Sequence, residues 1–244
     1  MKCRILLAEG QGEVSAIPVL VRRLLQEKEA CSLLYVDNDV IRRSPSHLIK
    51  WSGPGKQPDY SGWLDTLALA ARRHEIGAVL AVYDGDAKTF PPGSGSRFCA
   101  ATAAESMAKA AVSAGAGELF SLAVVFAISE YETWLVAGAE SLAGRRFEDG
   151  RLALPPDVTF PAGDPESHGK RWLEQHCPGY RPTRHQAPLT KLLDFQFVRA
   201  KKLRSFTRLE HALDQLIEAV DRGFHVSTPR LTTAAQEREA EAAL

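Results

Sequence analysis

The sequence predicts an α/β fold: about four mostly parallel strands flanked by helices, followed by a helical C-terminal part. Three observations carry that expectation. Apolar runs at residues 3–8, 31–36, 77–83 and 119–128 alternate with segments of helical periodicity, the pattern of successive βα units. The runs are nearly continuous rather than alternating in polarity, as strands buried on both faces are. Beyond about residue 139 the strand-like runs give way to helical ones.

Each element has its own signal. The first run, CRILLA, closes at Glu9-Gly10. Residues 14–27 then put Val14, Ile17, Leu20, Val21, Leu24 and Leu25 on one helical face. Pro18 is expected near that helix's first turn, where a missing N–H costs least. CSLLYV (31–36) reads as the second strand, and the Ser-, Pro- and Gly-rich residues 44–60 as a loop. A helix over 62–74 leads to the third strand, GAVLAVY, which runs into Asp84-Gly85-Asp86. A long loop (87–97), an Ala-rich helix (98–114) and the fourth and most apolar strand follow; that strand ends in SEYETW and enters another helix. Residues 150–168 read as loop, with helices near 169–176, 186–194 and 205–222. The expected division is an α/β domain at 1–140, a helical extension packed on it at 141–225, and a flexible tail at 226–244.

Composition narrows the class. The chain has 244 residues, 45% of them hydrophobic, 8% aromatic and 25% charged, which is ordinary for a globular protein able to bury a sizeable core. Its four cysteines (Cys3, Cys31, Cys99, Cys177) show no CxxC pair and read as thiols of a reducing compartment. The N-terminal apolar run is too short for a signal peptide, and none approaches the ~18 residues of a membrane span. A cytoplasmic protein without membrane contact is expected. Thirty basic residues balance thirty acidic ones, so no global charge argues for nucleic acid. Locally the balance fails: between 170 and 208 ten basic residues stand against Glu174 and Asp194. Such an excess fits a phosphate-binding face or a solvated helical surface balanced by acids elsewhere, and both readings are open.

The chemistry lies in the acids. Glu9 follows the first strand, Asp84 and Asp86 the third, Glu130 and Glu132 the fourth, and Glu13 begins the helix after the first strand. The carboxyl ends of parallel strands share one edge, where α/β folds bind ligands. Clustered carboxylates repel unless a cation neutralises them, and hard oxygen ligands select Mg²⁺ or Mn²⁺. The competing reading is that they are turn residues and helix-start acids complementing dipoles. Asp37 and Asp39 follow the second strand too, where Asp-Asn-Asp is also a plain turn.

The set AEGQGE (8–13), VYDGD (82–86) and ISEYETWL (128–135) resembles the Toprim fold, a Rossmann-like sheet shared by topoisomerases, primases and OLD-type nucleases. Glu9-Gly10 with Glu13 is most similar to the OLD-type branch. More narrowly, the order of segments resembles the DUF4276 family: an EG near the start, DGD, E-x-E-x-W-L (here Glu130, Glu132, Trp134, Leu135), a Pro-rich stretch and a late Ser205-Phe206. The resemblance implies a nuclease cleaving DNA or RNA, with Glu9 as acid/base group or metal ligand. It further implies Asp84 and Asp86 as ligands assisted by Glu13, with Glu130 and Glu132 able to complete a second site for one or two Mg²⁺ or Mn²⁺ ions. Lys170 would neutralise transition-state charge, and Lys201, Lys202 and Arg204 in the basic stretch would hold the nucleic-acid backbone. The same branch implies anti-phage defence and a separately encoded ABC-type ATPase as partner. A non-catalytic Toprim subunit is the alternative.

Rival classes fit less well. A haloacid-dehalogenase-type phosphatase carries Asp-x-Asp on its first strand, with Thr or Val where Lys88 stands. A nucleotide-sugar glycosyltransferase gives no reason for Glu9-Gly10. The chain has no G-x-x-x-x-G-K-[ST] loop. Trp134 is expected in the core, and the histidines (His168, His176, His185) show no ligand spacing.

Overall fold

The computed structural model describes residues 2–7, 10–50, 58–72, 76–85, 99–160 and 169–229. Glu9, Asp86, His168 and the 87–97 loop lie outside them. The elements in chain order are β1 (Lys2–Leu7), α1 (Gln11–Glu27), β2 (Tyr35–Val36), β3 (Ile41–Arg42), α2 (Pro45–Leu48), α3 (Ser61–Ala71), β4 (Ile76–Asp84) and α4 (Ala100–Ala111). There follow β5 (Ser121–Ala127), α5 (Glu132–Ala137), α6 (Ala139–Leu142), α7 (Gly169–His176), α8 (Pro182–Leu192), α9 (Phe195–Ala200), α10 (Arg204–Asp221) and β6 (Ser227–Thr228).

Three full-length parallel strands, in the order β1-β4-β5, make the body of the sheet; two-residue strands extend its edges. β4 and β5 are continuous apolar runs because each face is covered. On one side Leu80, Val82, Ala123 and Val125 meet Ile17, Leu20 and Leu24 of α1 and Leu209, Leu213 and Leu216 of α10. On the other side Val79, Ala81, Leu122 and Val124 meet Trp63 and Leu67 of α3 and Met107 of α4. The helix after β1 and the helices flanking β4 thus lie on opposite faces. Strand order reverses between β1 and β4, and the crevice beyond such a switch point is where α/β sheets bind ligands.

Several sequence expectations shift. The second strand is two short pieces: β2 pairs the start of β1 and β3 its end. Between them Asp37 and Asp39 form a turn in which the Asp39 N–H donates to Asp37 Oδ1 at 3.0 Å. Helix α1 begins at Gln11 rather than 14, so Pro18 lies within the helix and not near its first turn. α9 and the one-turn α2 were not foreseen, and Ser227 and Thr228, assigned to the tail, pair in parallel with Leu122 and Ala123 of β5.

The C-terminal helices share one apolar cluster with α1 and the sheet. Arg23 of α1 donates to the Thr190 and Leu193 carbonyls, both at 2.6 Å, and lies 4.5 Å from the Phe195 ring centroid. It satisfies carbonyls that the end of α8 leaves open. Trp134 is 1% exposed, donates its indole N–H to Ser205 Oγ at 3.0 Å and packs edge-on against Phe206. Trp134 and the late Ser-Phe pair are therefore two halves of one clasp between α5 and α10.

Gly12 lets α1 and α8 approach. A Cβ there would sit 2.1 Å from Gln186 Oε1 and 2.8 Å from the Pro182 backbone carbon. Gly12→Ala is expected to cost about 1–3 kcal/mol by forcing the helices apart, read as a lower urea midpoint at unchanged m-value. An unchanged midpoint would show that the contact is not tight.

Candidate functional site

Glu13 lies in the first turn of α1, yet its side chain does not point to solvent. It is 8% exposed and folds back on Gly10, where a Cβ would come 1.8 Å from Glu13 Oε2. Glycine at position 10 is thus a space requirement of the carboxylate. Gln186 of α8 donates through Nε2 to Glu13 Oε1 at 2.9 Å. Glu13 Oε2 is buried with no hydrogen-bond partner among the described residues.

Asp84 ends β4, half-buried, and its Oδ1 accepts from the Tyr131 N–H at 2.9 Å, tying the strand end to the entrance of α5. Glu13 and Asp84 line one small cavity with Gly10, Ala127 and Tyr131. Its volume of about 10 Å³ is the scale of a single water or ion.

The two glutamates after β5 diverge. Glu130 is half-buried and its Oε1 accepts the Lys170 backbone N–H at 2.6 Å, which caps α7. Glu132 turns inward, 3% exposed, and accepts from the Tyr180 hydroxyl at 2.9 Å. Burial, then the charge of Glu130, pushes its carboxyl up to about 7. Burial first, then Glu132, raises the Tyr180 hydroxyl as well. The Tyr131 hydroxyl, buried beside these groups and also raised chiefly by burial, bonds Thr190 Oγ1 at 2.6 Å.

The described residues thus bring Glu13 and Asp84 to one cavity, with Glu132 near enough to feel the charge of Glu13. Among the described residues no group of three or more His, Cys, Asp or Glu side chains is close enough to hold a metal ion; Glu9 and Asp86 are outside that set. Lys170 meets Glu130 through its backbone N–H, and its side chain is exposed. Lys201 is engaged elsewhere, paired with Glu140 at 3.0 Å and 4.5 Å from the Phe160 ring centroid. Lys202 and Arg204 are exposed. Other basic residues of the stretch are also balanced, Arg199 by Glu27 and Glu210 and Lys191 by Glu148. The unforeseen members are Gln186, Tyr131, Tyr180 and Thr190; the available signal was the polar pair Gln186 and Thr190, one turn apart on an otherwise apolar helix face.

A parallel α/β sheet with carboxylates gathered beyond its switch point defines the class. The profile of the family described as Domain of unknown function (DUF4276) matches residues 8–214, and the chain belongs to that family. No curated protein matches it, and no solved structure does. Among the described residues no helix is long and apolar enough to cross a membrane.

Proposed function

We propose that this protein is a nuclease of Toprim type, dependent on Mg²⁺ or Mn²⁺ and hydrolysing phosphodiester bonds of DNA or RNA. The observation that carries this reading is Glu13: a buried carboxylate with one oxygen unpartnered among the described residues, opening on the cavity that Asp84 also lines. Burying a carboxylate with a vacant acceptor is unfavourable unless something compensates, and a divalent cation is the compensation that hard oxygen donors fit. Glu13 and Asp84 would hold it, with Glu9 and Asp86 as the resemblance implies.

When bound, such an ion supplies positive charge to the attacking and leaving oxygens of a phosphodiester. The protein's own groups prepare the place. Gln186 fixes the orientation of Glu13, and the Tyr131 N–H fixes Asp84. Glu132, pushed up to about 7, changes charge around neutrality within reach of the Glu13 charge. By analogy with OLD-type nucleases, we assign the activity to prokaryotic anti-phage defence in the cytoplasm, beside a separate ABC-type ATPase.

The test is calorimetric titration of Mn²⁺ into the wild type and Asp84→Asn/Asp86→Asn, with both incubated with plasmid, single-stranded DNA and tRNA. Binding and cleavage by the wild type are expected to vanish together in the double variant. A well-folded wild type that takes up no Mn²⁺ sinks the catalytic reading and leaves the non-catalytic subunit.

A further inference from the structure

Helix α8 carries two different polar faces. Gln186 turns to Glu13 and Thr190 to the Tyr131 hydroxyl, whereas Arg184, His185 and Lys191 line a separate cavity of about 410 Å³. Its other wall is a hairpin, held by the Phe147 N–H to Arg151 carbonyl and Ala153 N–H to Arg145 carbonyl bonds, both 2.8 Å. The hairpin turns at Gly150, whose φ of +84° suits glycine. We propose that this cavity binds a phosphate monoester, carried by a free nucleotide or by the 5′ end of a nucleic-acid strand.

His185 is the first reason. It is 2% exposed, and its Nδ1 lies 2.9 Å from the Arg181 backbone N–H and 3.1 Å from the Arg181 carbonyl. That carbonyl already accepts the Arg184 and His185 backbone N–H groups, which assigns the Arg181 N–H to Nδ1 as its donor. An Nδ1 that accepts leaves the proton of the neutral ring on Nε2. Burial holds the ring's pKa down against the opposing effect of the Arg181 backbone, with Arg151 and Arg184 adding to the lowering. Nε2 is buried and has no partner among the described residues. A buried N–H left over beside a polar cavity calls for an acceptor.

Charge decides which acceptor. Arg146, Arg151, Arg184 and Lys191 line the cavity against Glu148 and Asp149, a net of two positive charges. A phosphate monoester carries about −1.5 to −2 near pH 7, matching that excess, whereas a carboxylate or an internal phosphodiester carries only a single charge. Arg151 is paired with Asp149 at 2.8 Å and Lys191 with Glu148 at 3.4 Å. Arg184 makes no salt bridge among the described residues and is exposed, so its guanidinium fork is available to two phosphate oxygens. Phe147, Pro188 and Leu192 give the apolar wall that the organic part requires.

The test is calorimetry with chelator present, so that the carboxylate site is silent and the two proposals fail separately. The probes are inorganic phosphate, AMP, and a short oligonucleotide with and without a 5′-phosphate. Arg184→Gln is expected to weaken binding about tenfold or more, the loss of a charge-assisted hydrogen bond. The control Arg222→Gln, exposed at the end of α10 and paired with Glu218, is expected to leave it unchanged. Affinity that requires the 5′-phosphate assigns the site to strand ends; AMP binding without that requirement assigns it to free nucleotides. Absence of millimolar binding by phosphate, AMP and the phosphorylated strand, or binding that Arg184→Gln does not weaken, overturns the proposal.

Discussion

Glu13→Gln is expected to stabilise the metal-free protein while abolishing its response to Mn²⁺. The side chains are close to isosteric, and Gln186 can still donate to the retained oxygen. What disappears is the negative charge of a buried carboxylate whose Oε2 has no hydrogen-bond partner among the described residues; the amide group that replaces that oxygen is neutral. Relieving that charge is worth about 1–2 kcal/mol, and each kcal/mol moves the melting temperature of a chain this long by about 2–4 °C. Wild-type protein should gain melting temperature with Mn²⁺, because a ligand that binds only the native state stabilises it by mass action. The variant should gain almost none, and any Mn²⁺-dependent cleavage should fall about 100-fold or more, beyond what loss of an outer-shell contact costs. Opposite signs in the two conditions are the diagnostic feature. A purely structural Glu13 would shift both melts equally, and an equal Mn²⁺ response in both proteins would remove Glu13 from the metal site.

Where the sequence was legible, burial on both faces made it so. β4 and β5 lie within two residues of their expected bounds because their apolar runs are continuous and flanked by turn signals. The second strand was misplaced because apolar content reports burial rather than strand. Leu34, 1% exposed, packs into the core from a turn, whereas the paired residues are Tyr35–Val36 and Ile41–Arg42. Helix α9 had a readable start, since Asp194 accepts the Gln196 N–H at 2.9 Å, but six residues leave little periodicity to detect. The acids of the candidate site stood out because Asp84 ends a strand and Glu13 begins the helix that follows one. Their supports did not: Gln186 lies 173 residues from Glu13 and Tyr180 lies 48 from Glu132. No local pattern encodes such pairings. The E-x-E block contained two different devices, a helix cap at Glu130 and a buried hydrogen-bonded acid at Glu132, and only packing against α7 and Tyr180 separates them.

That separation predicts a pH dependence belonging to Glu132 alone. Unfolded, its carboxyl titrates near 4.5; folded, burial and the neighbouring Glu130 push it up to about 7. Below the lower value both states are protonated and the stability is fully present. As pH rises between the two, the unfolded chain releases a proton that the native state retains, so stability falls. Above the upper value the loss is complete, about 3 kcal/mol. Glu132→Gln should keep the contact with the Tyr180 hydroxyl and remove the titration. Urea midpoints in chelator should therefore nearly coincide at pH 4.5 and diverge by pH 8, with the variant the more stable. Adding Mn²⁺ should narrow the gap at pH 8, because a nearby cation favours the ionised form of the wild-type acid. Parallel curves for the two proteins across that range would mean that Glu132 titrates alike in the folded and unfolded chains. Its burial against Tyr180 would then carry no electrostatic cost for a cation to offset.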